Sequence, residues 1–177
     1  MQANRGVTRC LGIDPGIGRL GFALVRQEGN SLSPVEYGCV ETRPGEELPK
    51  RLLVLHSTLQ EIIGRLAPDI IAVERLFFGR NTTTAEAVWQ ARGVVLLLAA
   101  QSKLDLYQPK PAEVKMAVAG SGTATKMQVQ RMVTEILRLT SPPRPDDVAD
   151  ALAIAVTGLA MHATESRILA LEGRRPC

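Results

Sequence analysis

The sequence predicts an α/β fold, a mixed five-stranded sheet with helices on both faces. Two observations predict it. Three short apolar runs open the chain, divided by Pro, Gly and Asn at the spacing of an antiparallel meander. After Leu48, segments with apolar residues at three- and four-residue steps alternate with two more short apolar runs, which adds strands flanked by helices.

Taken in order, residues 8–14 (TRCLGID) read as a buried strand stopped by Pro15-Gly16. Residues 20–26 (LGFALVR) form a second strand, Gly29-Asn30 a turn, and 35–42 (VEYGCVET) a third strand. Leu48 to Leu66 is helical, because Leu52, Leu55, Leu59, Ile62, Ile63 and Leu66 recur on one face. Pro68-Asp69 ends that helix, and 70–74 (IIAVE) is a short continuous apolar strand closing on Glu74. Residues 75–82 read as a loop, and a helix follows from near Thr83 to Lys103. A fifth strand covers 105–108, and helices cover 112–119, 126–139 and 147–161. We read 1–177 as one domain with a mobile tail from about 164.

Composition narrows the function classes. Apolar residues are 45% and charged residues 22%, which suits a chain with its own core. Aromatics are only 3%, so that core is aliphatic. Cys10, Cys39 and Cys177 form no CxxC, and His56 and His162 lie far apart, so neither a zinc site nor a disulfide scaffold is expected. Met1 to Arg9 lacks the apolar stretch of a signal peptide, and 94–100 is too short to span a bilayer, so a cytoplasmic protein is expected. The net charge of +3 is compatible with an anionic partner such as nucleic acid.

The carboxylates carry more. Asp14 ends the first strand, Glu74 ends the fourth, and Asp147 and Asp150 open the last helix three residues apart, on one face. Sites in α/β sheets gather at the carboxyl ends of strands. If strands one and four are neighbours, the four acids meet there. Crowded carboxylates raise one another's pKa and call for cations. Oxygen donors of this kind suit Mg²⁺ or Mn²⁺, and two such ions about 4 Å apart clamp a phosphodiester. Each acid taken alone has a plainer explanation, Asp14 as a turn residue and Asp146 and Asp147 as partners of a helix dipole. Glu74, at the end of an apolar strand, has the weakest one.

Four blocks then carry a resemblance: LGIDPG at 11–16, AVERLF at 72–77, QARG at 90–93 and DDVADALAIA at 146–155. In this order they resemble the bacterial RuvC-type Holliday-junction resolvases over roughly residues 8–155. The resemblance implies an RNase H-like fold, a homodimer, and a structure-specific endonuclease making paired symmetric nicks in four-way junction DNA with Mg²⁺ or Mn²⁺, two per active site. It implies 5′-phosphate and 3′-hydroxyl ends, and RuvA and RuvB type branch-migration proteins as partners. It carries the catalytic and metal-binding roles onto Asp14, Glu74, Asp147 and Asp150. Asp146 also shares the face of Asp150, and the D-x-x-D-A match favours Asp147.

The resemblance places an aromatic that stacks on bases at Phe77, with Phe78 turned inward or toward the dimer surface. Lys115 and Lys126 match basic positions near the scissile phosphate, and Arg75 and Arg80 are further phosphate candidates. Three rivals remain at this point: another RNase H-like nuclease acting on simple duplexes or hybrids, an actin-like ATPase, and a junction binder without catalysis. A chain of 177 residues is short for the two nucleotide-clasping domains of the second, and a pure binder has no use for four acids near phosphate.

Overall fold

The computed structural model describes residues 6–75 and 82–173, with backbone alone for 82–85. Among them the strands are β1 (Val7–Asp14), β2 (Arg19–Glu28), β3 (Ser31–Glu41), β4 (Ile70–Val73) and β5 (Asp105–Tyr107). The helices are α1 (Leu48–Leu66), α2 (Thr82–Gln101), α3 (Pro111–Ala119), α4 (Lys126–Ile136) and α5 (Asp146–Leu171). The sheet order is β3-β2-β1-β4-β5. The first three strands pair antiparallel, while β4 joins β1, and β5 joins β4, in parallel. This is the mixed five-stranded sheet that the element order predicts.

Strand alternation divides the core in two. Leu11, Ile13, Leu20, Phe22, Leu24, Ile71 and Val73 face one side, where Leu55, Leu59, Ile62 and Ile63 of α1 and Val95 and Leu98 of α2 cover them. Cys10, Ala23, Val25, Ile70 and Ala72 face the other, against α3, α4 and α5. The α5 helix is apolar all round from Val148 to Leu159, because the sheet lies under one side and α3 and α4 over the other.

Small residues let α5 lie almost on the sheet. A Cβ added at Gly12 of β1 would sit 2.3 Å from the Ala151 carbonyl oxygen and 2.5 Å from Ala155 N. One added at Gly158 would meet Ala72 Cβ at 2.6 Å and Cys10 Sγ at 2.9 Å. Such contacts fix the helix laterally and along its axis, and with it whatever its first turn carries.

The last helix is longer than the sequence reading expects. It continues past Met161 to Leu171, through the start of the expected tail at 164. Its added turns have a partner. The Tyr107 hydroxyl on β5 lies 3.0 Å from His162 Nδ1 and donates to Glu165 Oε2 at 2.5 Å. The segment 162–171 also has few strong helix breakers, so tertiary contact and local propensity agree. The α4 helix, by contrast, stops at Ile136 rather than 139, with Arg138 at a φ of 51°.

Candidate active site

Alternation along the strands decides where the first two acids point. Cys10 and Ile70 face α5, so Asp14 and Glu74, each four residues further on, continue the same face. The parallel register runs from Cys10 opposite Ile70 to Ile13 opposite Val73. One more step brings Asp14 level with Glu74, just past the end of β4. The N-terminus of α5 arrives at this spot with Asp147 and Asp150.

The electrostatics show how closely the acids crowd. Burial raises the Asp14 pKa first, and the charges of Asp150, Glu74 and Asp147 raise it further, against a smaller pull from Lys126; the result is a shift from 3.8 to about 7. Glu74 is also raised, by burial and then by Asp150, with Lys115 and Lys126 opposing. Asp147 Oδ2 is buried and receives no hydrogen bond, although Arg19 Nε lies 3.2 Å away. Lys126 Nζ reaches Asp146 Oδ2 at 2.7 Å and Asp150 Oδ2 at 2.8 Å. Burial lowers the Lys126 pKa, but its bonds to Asp146 and Asp150 outweigh this and hold the ammonium charged.

The four acids expected from the sequence are therefore neighbours. Asp146 is different: it is exposed, its pKa is held low by the bond from Lys126, and it is not among the charges that act on Asp14. Among the described residues, no three acidic, histidine or cysteine side chains converge tightly enough to hold an ion as they stand. Lys126 is bonded to Asp150 instead, and Arg19 stands beside Asp147 without a hydrogen bond to its Oδ2. The donor set is nonetheless all carboxylate oxygen, it holds one buried oxygen without a donor, and it is short of positive charge; these properties fit hard divalent cations.

The basic residues sort by place. Lys126 opens α4 just after Thr125, whose hydroxyl accepts from Gln128 N while Gln128 Oε1 accepts from Thr125 N. That box fixes the first turn of α4 and so the root of the Lys126 side chain. Lys115 lies part-buried on α3, close enough for its charge to act on Glu74. Arg75 is exposed just beyond Glu74, its backbone N–H donating to the Pro109 carbonyl at 2.8 Å. Phe77, Phe78 and Arg80 lie outside the described residues.

Three supporting residues escaped the sequence reading. Arg19 stands beside Asp147. Arg51 of α1 donates to Thr42 Oγ1 at 2.8 Å and to the Ile17 carbonyl at 3.2 Å, bracing the turn that follows Asp14. Arg92, buried in the QARG block, donates to the Glu74 carbonyl at 3.2 Å and to Gln108 Oε1, and lies 5.8 Å from the Trp89 ring. It ties the end of β4 to the segment after β5. An arginine inside an apolar helix was the available signal, since arginine is rarely buried without a polar partner.

The model of the crossover junction endodeoxyribonuclease RuvC family matches residues 10–158. The chain belongs to the RuvC family. The RuvC crossover junction endodeoxyribonuclease of Desulfitobacterium hafniense is 52% identical over 146 residues, covering 82% of this chain and 88% of its own. That of Pelotomaculum thermopropionicum is 49% identical over 162 residues, covering 92% and 98%. Thermus thermophilus RuvC in complex with Holliday junction substrate superposes with a TM-score of 0.84 at 37% identity, covering 91% of this chain and 97% of that one. The fold is thus the RNase H-like fold of RuvC. The yeast mitochondrial resolvase Ydc2, at 17% identity and a TM-score of 0.65, shares that fold. No helix among the described residues is long and apolar enough to cross a membrane.

Proposed function

We propose that this chain is a crossover junction endodeoxyribonuclease that resolves four-way DNA junctions by paired, metal-dependent nicks. The observation that carries the reading is the meeting of Asp14, Glu74, Asp147 and Asp150 within a RuvC-family fold, where burial and then the charges of the other three acids raise the Asp14 pKa to about 7. Asp14, Glu74, Asp147 and Asp150 would hold Mg²⁺ or Mn²⁺, two per site. Bound there, the ions supply positive charge and Lewis acidity for in-line attack of water on phosphorus. The chain's own residues do the rest. Asp14 and Glu74 hold fixed positions on adjacent strands, and the first turn of α5 sets the other two acids against them. Lys126, now shared between Asp146 and Asp150, is placed to meet negative charge building on the phosphate as the bond breaks. Lys115 places a second positive charge on the Glu74 side. The products are 5′-phosphate and 3′-hydroxyl ends, which a ligase can rejoin.

Substrate and assembly belong to the same reading. Phe77 stacks on bases near the junction centre, and Arg75 and Arg80 meet backbone phosphates. A homodimer sets two such sites against the two-fold symmetry of the junction. Branch-migration proteins of the RuvA and RuvB type act beside it in a cytoplasmic repair pathway.

The test is cleavage of a synthetic mobile four-way junction and of its linear duplex in Mg²⁺, Mn²⁺ or EDTA, by wild type and Asp14→Asn. Symmetric nicks in the junction alone, lost in EDTA and in the variant, are expected. Equal cutting of the linear duplex would replace junction resolution with general nuclease activity. Binding without cutting in either metal would remove catalysis.

A further inference from the structure

Gly21 of β2 lies where the sheet meets the backbone of Asp147, an acidic residue of the candidate site. It pairs with Asp14 in the antiparallel register of β1 and β2. On its other edge it pairs with Cys39 of β3. A Cβ built on it would sit 2.1 Å from the Asp147 carbonyl oxygen, 2.6 Å from the Asp147 carbonyl carbon and 3.3 Å from Asp147 Cβ. Two of these three atoms are backbone, which cannot rotate away as the tip of a side chain can. The Gly21 backbone needs no positive φ, so glycine is required here for space and not for conformation.

We infer that Gly21 is a positioning residue for metal binding: its missing side chain sets how near Asp147 comes to Asp14. The inference rests on the metal-site reading given above. The geometry supports it from both sides of the contact. Asp14 is tied to Gly21 through the strand ladder, and Asp147 is tied to Gly21 by direct backbone contact. The separation of the two carboxylates is therefore built across a single residue. Opening the 2.1 Å approach to an ordinary contact of about 3.4 Å needs a movement of roughly 1.3 Å at Asp147. Metal–oxygen distances tolerate far less, because Mg²⁺ holds its ligands at about 2.0–2.1 Å in a near-octahedral shell.

Gly158 offers the control. An added Cβ there also overpacks α5 against the sheet, at Ala72 Cβ and Cys10 Sγ, but more than two turns away from Asp147 and Asp150. It disturbs the same interface without moving the first turn.

The experiment titrates Mn²⁺ into metal-free protein and counts free ion by electron paramagnetic resonance, beside thermal melts, for wild type, Gly21→Ala, Gly158→Ala, Asp14→Asn and the double variant Gly21→Ala/Asp147→Glu. The expected result is a folded Gly21→Ala protein whose Mn²⁺ affinity is weakened roughly 10–100-fold, the range seen when groups that orient metal ligands are lost. Gly158→Ala is expected to melt lower with its Mn²⁺ affinity unchanged. The double variant recovers affinity, because one extra methylene restores the reach of the carboxylate. Wild-type affinity in a folded Gly21→Ala protein overturns the inference, as does an equal loss in Gly158→Ala. A Gly21→Ala chain that does not fold overturns it too, since the contact would then serve the whole fold. Failure of the underlying reading is distinct: Asp14→Asn would bind Mn²⁺ as wild type does.

Discussion

Replacing Asp14 by Asn should make the metal-free protein more stable. Asp14 is part-buried among three other acids, and its pKa rises from 3.8 to about 7 on folding. Between those two values the folded chain binds a proton at Asp14 that the unfolded chain has released. Stability therefore falls as pH rises through this window, and the loss is complete above about pH 7. At about 1.36 kcal/mol for each pH unit between the two values, the charged Asp14 costs the fold roughly 4 kcal/mol at pH 8. Glu74, raised by burial and by the same cluster, shares part of the strain, which makes that figure an upper limit. Asn keeps the shape without the charge. For a chain of this size the gain corresponds to a rise in melting temperature of at most roughly 8–16 degrees. The assay is a set of thermal melts of wild type and Asp14→Asn in EDTA from pH 4.5 to 8.5. The gap should be widest at pH 8 and narrow steadily below pH 7. Added Mg²⁺ or Mn²⁺ should raise the melting temperature of wild type more than that of the variant. A variant no more stable than wild type at pH 8 in EDTA, or a gap independent of pH, would refute the reasoning.

Two further substitutions separate chemistry from scaffolding. Lys126→Met removes the bonds to Asp146 and Asp150; the side chains of Lys126 and Asp146 are more than half exposed, so stability should change by less than about 1 kcal/mol. Single-turnover cutting should fall by roughly 10²–10³ while junction binding in Ca²⁺ or EDTA stays near wild type, and a loss confined to binding would reassign the residue. Arg92→Met leaves the Glu74 carbonyl and Gln108 without their donor, at a cost of about 1–3 kcal/mol by urea denaturation. It should also slow cutting, because the end of β4 loses its anchor; unchanged stability would show that water replaces the guanidinium.

Much of the fold was legible because its signals are local. Turn residues bound β1 and β2, periodicity marks α1, and short apolar runs mark β4 and β5. The helix end at Leu171 was not legible, because the last turns mix apolar and polar residues without strong period, and their contact with Tyr107 of β5 is distant in sequence. The partners of Arg19, Arg51 and Arg92 were illegible for a related reason. An arginine in sequence says nothing of which carbonyl or carboxylate it will meet, and their partners lie far away along the chain.

For the candidate site the division is equally physical. The sequence by itself determined which residues the proposed site is built from: four acids at strand and helix ends, in blocks that resemble one family. It also determined the alternation that puts Cys10, Gly12 and Asp14 on one face of β1. Only the tertiary structure decided that β4 lies parallel beside β1, that α5 rests on glycines, and that Asp147 rather than Asp146 turns toward Asp14. Those outcomes depend on strand register and on the approach of backbones distant in sequence. Both are set by the packing of the whole sheet and its helices, which no local window of residues contains.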